Sequence, residues 1–156
     1  MRFHKGVHPH PAQLWEETLS NPPTKLAFDT ETKSLVERQL LGVAVAISGN
    51  DAFYVTVDDP DFHRVVALLR SPAIRKVWHN APFDLRVLRK YHVDSRNVDD
   101  TCMMARIMGE SAGLEDASFY VERQTDTANA VMEKYKVKDM ASLPMGVVAN
   151  KCMQDA

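Results

Sequence analysis

The stretch LAFDTETKSL, residues 26–35, decides how this sequence is expected to fold. Its first three residues, Leu26, Ala27 and Phe28, predict a short buried strand, and two acids follow at the end of that strand. Because successive strand residues point to opposite faces, residues two apart share a face. The carboxylates of Asp29 and Glu31 are therefore expected to project together.

The segments on either side of this stretch predict alternating strands and helices. Further strands are expected over residues 40–48, 52–57, 74–78 and 97–99, the first two as an antiparallel hairpin. Helices are expected over residues 11–19, 61–70 and 82–91, then from Asp100 or Thr101, and the chain turns largely helical beyond Gly113. This order predicts an α/β fold, a mixed sheet of about five strands with flanking helices.

The bulk composition excludes several classes of protein. The 156 residues suit one compact domain, and no apolar run approaches the roughly 18 residues of a membrane span. A net charge of −2 argues against a protein that coats duplex DNA without sequence preference. The N-terminus has no apolar region of a secretory signal, and Cys102 and Cys152 stand alone, so we expect a cytoplasmic protein without a membrane partner.

Two more acids complete a set that suits metal chemistry. Asp84 lies in the first turn of the helix within VWHNAPFDLRVLRKY, residues 77–91, and Asn80 precedes it in a loop. Asp155 lies near the C-terminus on an expected final helix. Clustered carboxylates repel one another unless a cation joins them, and Mg²⁺ and Mn²⁺ prefer such oxygen ligands. Taken singly, each residue also has an ordinary interpretation as a cap, a first-turn acid or a terminal acid.

These residues resemble a known family. Residues 26–35, 77–91 and 97–108 resemble motifs of the ribonuclease H-like 3′–5′ exonucleases that use four acids. The likeness is closest to the proofreading domain of family A DNA polymerases, including bacterial DNA polymerase I and phage relatives. It implies a ribonuclease H-like exonuclease domain over residues 25–156, preceded by an extension and short helix at residues 1–24.

The resemblance also implies roles for individual residues. Two Mg²⁺ or Mn²⁺ ions would be held by four catalytic acids, Asp29, Glu31, Asp84 and Asp155. Substrate would be contacted by Asn80, Leu35 and Thr30, although Leu35 fits loop packing equally well.

The third motif departs from the family pattern. Members of the family normally carry Tyr four residues before the last Asp, or His five residues before it, but here those places hold Lys151 and Asn150. A rival pair, Tyr135 and Asp139, has the literal Tyr-x-x-x-Asp spacing. The chain stops one residue after Asp155, which leaves a fragment, a small stand-alone protein and a degraded relative all open.

Three functions follow from the resemblance. The first is a proofreading-type exonuclease that removes nucleotides from single-stranded DNA 3′ ends, alone or with a polymerase domain or subunit. The second is a catalytically impaired module of the same fold that binds nucleic acid or a polymerase partner. The third is an RNA exonuclease of the ribonuclease D type, since sugar preference depends on contacts to the 2′-hydroxyl.

Overall fold

A six-stranded mixed sheet forms the centre of the molecule. The computed structural model describes residues 1–114, 116 and 126–156. The strands are β1 Arg2–Lys5, β2 Lys25–Thr32, β3 Leu40–Ala46, β4 Ala52–Thr56, β5 Arg75–Trp78 and β6 Val98–Asp100. Their spatial order is β1-β4-β3-β2-β5-β6. The pairs β1/β4, β4/β3 and β3/β2 are antiparallel, whereas β2/β5 and β5/β6 are parallel.

The first four helices begin within one residue of the predicted starts, and two more lie in the segment expected to be largely helical. They are α1 Pro11–Ser20, α2 Phe62–Arg70, α3 Ala81–Arg89, α4 Thr101–Met108, α5 Ala128–Tyr135 and α6 Met145–Asp155, with a 3₁₀ turn at Met140–Ser142. Proline occupies the first turn of α1 and of α3, where a missing N–H costs nothing. Asp100 caps α4, as expected, by accepting hydrogen bonds from the backbone N–H groups of Cys102 and Met103.

The predicted α/β fold with a mixed sheet is confirmed, and the sheet gains one strand that the sequence did not predict. Strand β1 lies within the segment expected to be an N-terminal extension, and it pairs with β4 from Arg2↔Val55 to Lys5↔Ala52. Its residues, RFHK, carry little apolar signal because β1 is the edge strand and half of its side chains are exposed. The expected helical character beyond Gly113 falls partly on residues 115 and 117–125, which lie outside the described part of the chain.

The two faces of the sheet bury different sets of side chains. Strand alternation sends Val43 and Val45 into one core, which α1, α2 and α3 cover, and sends Ala44 into the other. The second core contains Tyr54 and the inner side chains of α5 and α6. The sheet is therefore a central layer between two helical layers. Among the described residues, no helix is long and apolar enough to cross a bilayer.

Gly42 makes room for a buried aromatic ring beside the end of β2. A Cβ atom at this position would lie 2.5 Å from Cζ of Tyr54 and 2.6 Å from the backbone oxygen of Val55. Those distances are far inside van der Waals contact, and Tyr54 is fully buried, so the ring has no free space into which it can move. Only glycine fits here without displacing the ring or the neighbouring strand.

We therefore expect Gly42→Ala to lower the free energy of unfolding by about 1–3 kcal/mol, the usual cost of overpacking a core. The matched control is Gly146→Ala in α6, where the nearest atom to an added Cβ is 3.9 Å away. That change should be neutral or stabilise the protein by up to about 1 kcal/mol, since alanine favours helix. Urea denaturation followed by circular dichroism measures both, and equal effects would contradict the packing argument.

Candidate metal centre

Strand pairing brings the acids of β2 close to the start of α3, at the carboxyl end of two neighbouring parallel strands. Strands β2 and β5 are parallel, so the end of β2 lies next to the loop that leads from β5 into α3. In β2, Asp29 lies opposite Ala44 and Glu31 lies opposite Gly42 of β3. The pairing register shifts immediately after Glu31, at Thr32, where the strand ends.

Asp29 and Glu31 project to the same face, as the sequence predicts, and meet a thiol of α6. One carboxylate oxygen from each acid and Sγ of Cys152 all lie within 4.8 Å of one another. The thiol donates a hydrogen bond to Oδ2 of Asp29 over 3.2 Å. Glu31 is 9 % exposed, so this acid is nearly removed from water. The two carboxylates are thus close enough to bind one ion together.

Asp84 is fixed to the strand residue between these two acids. Its Oδ1 accepts one hydrogen bond from the Thr30 backbone N–H at 3.1 Å and a second from the Thr30 hydroxyl at 2.6 Å. The side chain is only 3 % exposed, and its place in the first turn of α3 sets it against the end of β2. These bonds hold Oδ1 and orient the whole carboxylate.

Asp155 joins the group from α6, together with a lysine. Lys151 donates a hydrogen bond to Oδ2 of Asp155, and four residues of helix place both on the same face. The side chain of Lys151 is 7 % exposed and that of Asp155 is 12 % exposed. A buried ammonium and a buried carboxylate therefore form an ion pair beside the acids of β2.

Three of the carboxylates, those of Asp29, Glu31 and Asp84, have raised pKa values. Burial is the largest cause at Asp29, whose pKa lies well above its usual range, and the charges of Asp84, Glu31 and Asp155 add to it. Burial also raises the pKa of Glu31 to about 8, although the Lys151 charge opposes it. For Asp84 burial raises the pKa to about 6 against the bonds from Thr30.

Such a cluster fits a divalent cation. Its oxygen atoms suit Mg²⁺ or Mn²⁺, and a bound cation would offset both the burial and the mutual repulsion that raise the pKa values. Cys152 does not suit such a hard ion, because burial raises the pKa of its thiol and keeps it protonated. Asp29 and Glu31 would hold the ion, with Asp84 beside them. Asp155 is already engaged by Lys151, so this acid is less available as a ligand.

Comparison with known sequences places the chain in a family. The sequence model of the 3′–5′ exonuclease family found in family A DNA polymerases matches residues 10–148. The chain belongs to this 3′–5′ exonuclease family. The match ends before Lys151 and Asp155, so their place in the site rests on the geometry of α6.

One curated relative of this exonuclease family member is DNA polymerase I of Chloroflexus aurantiacus. The two are 34 % identical over 114 residues, which cover 65 % of this chain and 12 % of the polymerase. The chain thus spans about an eighth of the length of the curated relatives that it matches.

Solved structures with the same fold include the catalytic core of a protein named RRP6 and an RNase D. The catalytic core of RRP6 from Trypanosoma brucei has a TM-score of 0.67 at 21 % identity, over 93 % of this chain and 40 % of that one. RNase D of Escherichia coli has a TM-score of 0.63 at 19 % identity, over 96 % of this chain and 41 % of that one. At these identities the likeness establishes the ribonuclease H-like fold of this exonuclease family member.

The three residues predicted to contact substrate lie around the acids in different ways. The Thr30 hydroxyl is engaged by Asp84, as described. Asn80 occupies the N-cap position of α3 in the left-handed region, with φ 65° and ψ 48°, and its backbone N–H donates to Oδ1 of Asp100 at 3.0 Å. Leu35 is 76 % exposed in the loop after β2, beside Val36 at 90 %. Substrate contact by these three residues stays a prediction.

The rival third motif occupies a different place. Asp139 accepts hydrogen bonds from the N–H and the hydroxyl of Ser142 and so caps the 3₁₀ turn. Tyr135 ends α5 with its side chain 44 % exposed. By contrast, the charge of Asp155 acts on both Asp29 and Glu31. Asp155 therefore lies near the strand acids, and its role as the fourth acid stays a prediction.

Sequence reasoning missed two features of the site. One is Cys152, which has no cysteine or histidine close to it in sequence but follows Lys151 directly and precedes Asp155 by three residues, a helical spacing that shares a face. The other is the bond from the Thr30 hydroxyl to Asp84, which spans 54 residues. No local sequence pattern predicts that second contact.

Stability of the metal-free protein should fall as pH rises from about 5 to about 9. The folded protein keeps a proton on Glu31 up to pH about 8, whereas the unfolded chain releases it near the ordinary value of 4.5. The native state therefore binds more protons in this range, and raising the pH removes that advantage. We expect a loss of more than about 1 kcal/mol, since each pKa unit corresponds to about 1.4 kcal/mol.

Denaturant titrations at several pH values, with a chelator present, measure this dependence. Glu31→Gln is the matched variant, because it retains the shape of the side chain and removes its titration. The slope of stability against pH should be shallower in this variant than in the unmodified protein. Equal slopes would show that Glu31 does not titrate in the native state as described.

Proposed function

We propose that this chain is a metal-dependent 3′–5′ exonuclease that removes nucleotides from single-stranded DNA 3′ ends. The observation that carries this proposal is that four acids from β2, α3 and α6 lie together around the carboxyl end of β2. The acids are buried, mutually repelling and held in place by hydrogen bonds. A protein maintains such an arrangement at a cost to stability, and binding a divalent cation is the use that fits oxygen ligands.

The roles of the acids follow from their surroundings. Asp29 and Glu31 would share an ion of Mg²⁺ or Mn²⁺, and Thr30 would keep Asp84 turned toward it. When bound, a divalent ion polarises the phosphoryl oxygen and makes water a stronger nucleophile at neutral pH. Two ions are what the family resemblance implies, and Asp155 would then serve the second.

The proposed reaction hydrolyses the last phosphodiester bond of the strand. A water oxygen attacks the phosphorus, the bond from phosphorus to the 3′ oxygen breaks, and that oxygen takes up a proton. A nucleoside 5′-monophosphate and a strand shorter by one nucleotide result. Lys151 donates hydrogen bonds but accepts no proton while charged, so the proton of the attacking water must pass to another group.

The terminal nucleotide would lie over the loop that follows β2. Leu35 and Val36 expose most of their apolar surface there, directly after the two acids of the strand. Apolar side chains beside a polar site give a base a surface to pack on without sequence preference. Asn80, at the start of α3 on the other side, is proposed to help position the strand.

A polymerase is the proposed working partner. The curated relatives are named DNA polymerase I, and the match covers 12 % of their length. A proofreading exonuclease acts on ends that a polymerase makes. We therefore propose that this domain works with a polymerase domain, in the same chain or as a separate subunit.

A second candidate is a module of the same fold that binds nucleic acid or a polymerase without cleavage. The specific observation in its favour is the ion pair between Lys151 and Asp155, which engages one of the four acids. A site whose acids are partly neutralised from within would hold cations less tightly. Binding without turnover is then the expected behaviour.

We expect the chain to shorten a 5′-labelled single-stranded DNA stepwise from its 3′ end in the presence of Mn²⁺. Asp29→Asn should lower the rate by at least about 100-fold, because even residues that only orient metal ligands contribute 10–100-fold. The matched control is Asp94→Asn, which removes a carboxylate that is 77 % exposed in a surface loop and should leave the rate unchanged. Denaturing gels resolve the products.

The outcomes separate the two candidates. If the unmodified protein shortens the DNA and Asp29→Asn does not, the exonuclease activity is established. Absence of shortening, combined with retarded migration of DNA in a gel, would favour the binding module. Equal rates in the unmodified protein and Asp29→Asn would reject this site as the source of cleavage.

The sugar preference is tested with matched DNA and RNA of one sequence. We expect the DNA to be degraded at least about tenfold faster, a difference of about 1.4 kcal/mol in the barrier. Faster degradation of the RNA would assign the chain to ribonuclease D-type activity, which the shared fold permits.

A further inference from the structure

Lys151 places a charged ammonium group in a nearly buried position. The whole residue is 6 % exposed and projects from the inner face of α6 toward the end of β2. Removing a lysine charge from water is costly unless carboxylates compensate it. The compensation comes from Asp155, to which Nζ donates, one helical turn further on.

The ammonium also faces the other acids. Its neighbour Cys152 contacts the Oδ2 atom of Asp29, so this turn of α6 rests directly on the acid pair of β2. The positive charge of Lys151 is the strongest influence that lowers the pKa of Glu31. The negative charge of Asp155 raises the same pKa. Lys151 is thus a fixed cation inside an anionic site.

A fixed cation and a mobile cation compete for the same carboxylate. A divalent ion bound to Asp155 would have to approach the ammonium to within a few ångströms or displace it. Like charges separated by a few ångströms repel strongly where little water screens them. A second divalent ion is therefore disfavoured while Lys151 holds Asp155.

We propose that the Lys151 ammonium takes the place of a second divalent cation, so that the site binds one ion, held by Asp29 and Glu31 with Asp84 beside them. This inference rests on the proposed function for the use of the ion in hydrolysis, since it concerns the same site. The number of bound ions itself is a property of the protein that does not require turnover.

The experiment counts Mn²⁺ ions bound to the full chain at pH 8, by isothermal titration calorimetry and by the free Mn²⁺ signal in electron paramagnetic resonance. We expect one ion in the unmodified protein. In Lys151→Met, which keeps the length and apolar stem of the side chain, we expect two. The second ion should bind this variant at least tenfold more tightly than any second binding event in the unmodified protein.

Lys134→Met is the matched control. Lys134 is exposed on α5, so its removal changes the net charge equally without altering the site, and one ion should remain. Circular dichroism confirms folding of each variant, and Lys151→Gln replaces Lys151→Met if the latter does not fold. Two ions of similar affinity in the unmodified protein overturn the proposal without any variant. One ion in a folded Lys151 variant, or none in the unmodified protein, also overturns it.

Failure of this inference is distinguishable from failure of the proposed function. One bound ion without cleavage of DNA would uphold the role of Lys151 and reject the exonuclease activity. Two bound ions, together with DNA cleavage that is lost in Asp29→Asn, would uphold the exonuclease activity and reject the role of Lys151.

Discussion

The alternation of side chains along β2 is the constraint on which the rest of the structure depends. This one strand sends Leu26 and Phe28 into the core beneath α1, α2 and α3, and it turns Asp29 and Glu31 toward α6. The apolar pair fixes the register, because a slip by one residue would place the carboxylates in the apolar core. The hydrophobic core therefore fixes the position of the acids as firmly as it fixes the fold.

That arrangement is electrostatically unfavourable in the absence of a bound cation. Burial raises the pKa of Asp29, Glu31 and Asp84 together, so ionising these acids costs more in the folded chain than in water. The surrounding contacts limit this cost in distinct ways. Thr30 donates two hydrogen bonds to Asp84, Cys152 donates one to Asp29, and Lys151 supplies a positive charge. A bound cation would relieve what remains, which links metal binding to stability.

Lys151 departs from the pattern that the family resemblance implies. The residue expected at its position is a tyrosine, a neutral group that can donate and accept a hydrogen bond near an attacking water. An ammonium at the same place has a charge, no acceptor and a strong attraction to Asp155. That single difference alters the metal requirement more than it alters the fold, because the apolar residues of α6, such as Val148 and Ala149, still pack against the sheet.

The sequence by itself determined the mixed α/β order, the projection of Asp29 and Glu31 to one face and the position of Asp84 at the start of a helix. These features follow from local periodicity and capping, which neighbouring residues express directly. Only the tertiary structure decided that β1 adds a sixth strand, that Thr30 holds Asp84 and that Lys151 pairs with Asp155 beside the strand acids. The first two join residues more than 45 positions apart in sequence, and the placement of α6 depends on packing against four strands at once. Such contacts arise from the whole core, so no local pattern in the sequence specifies them.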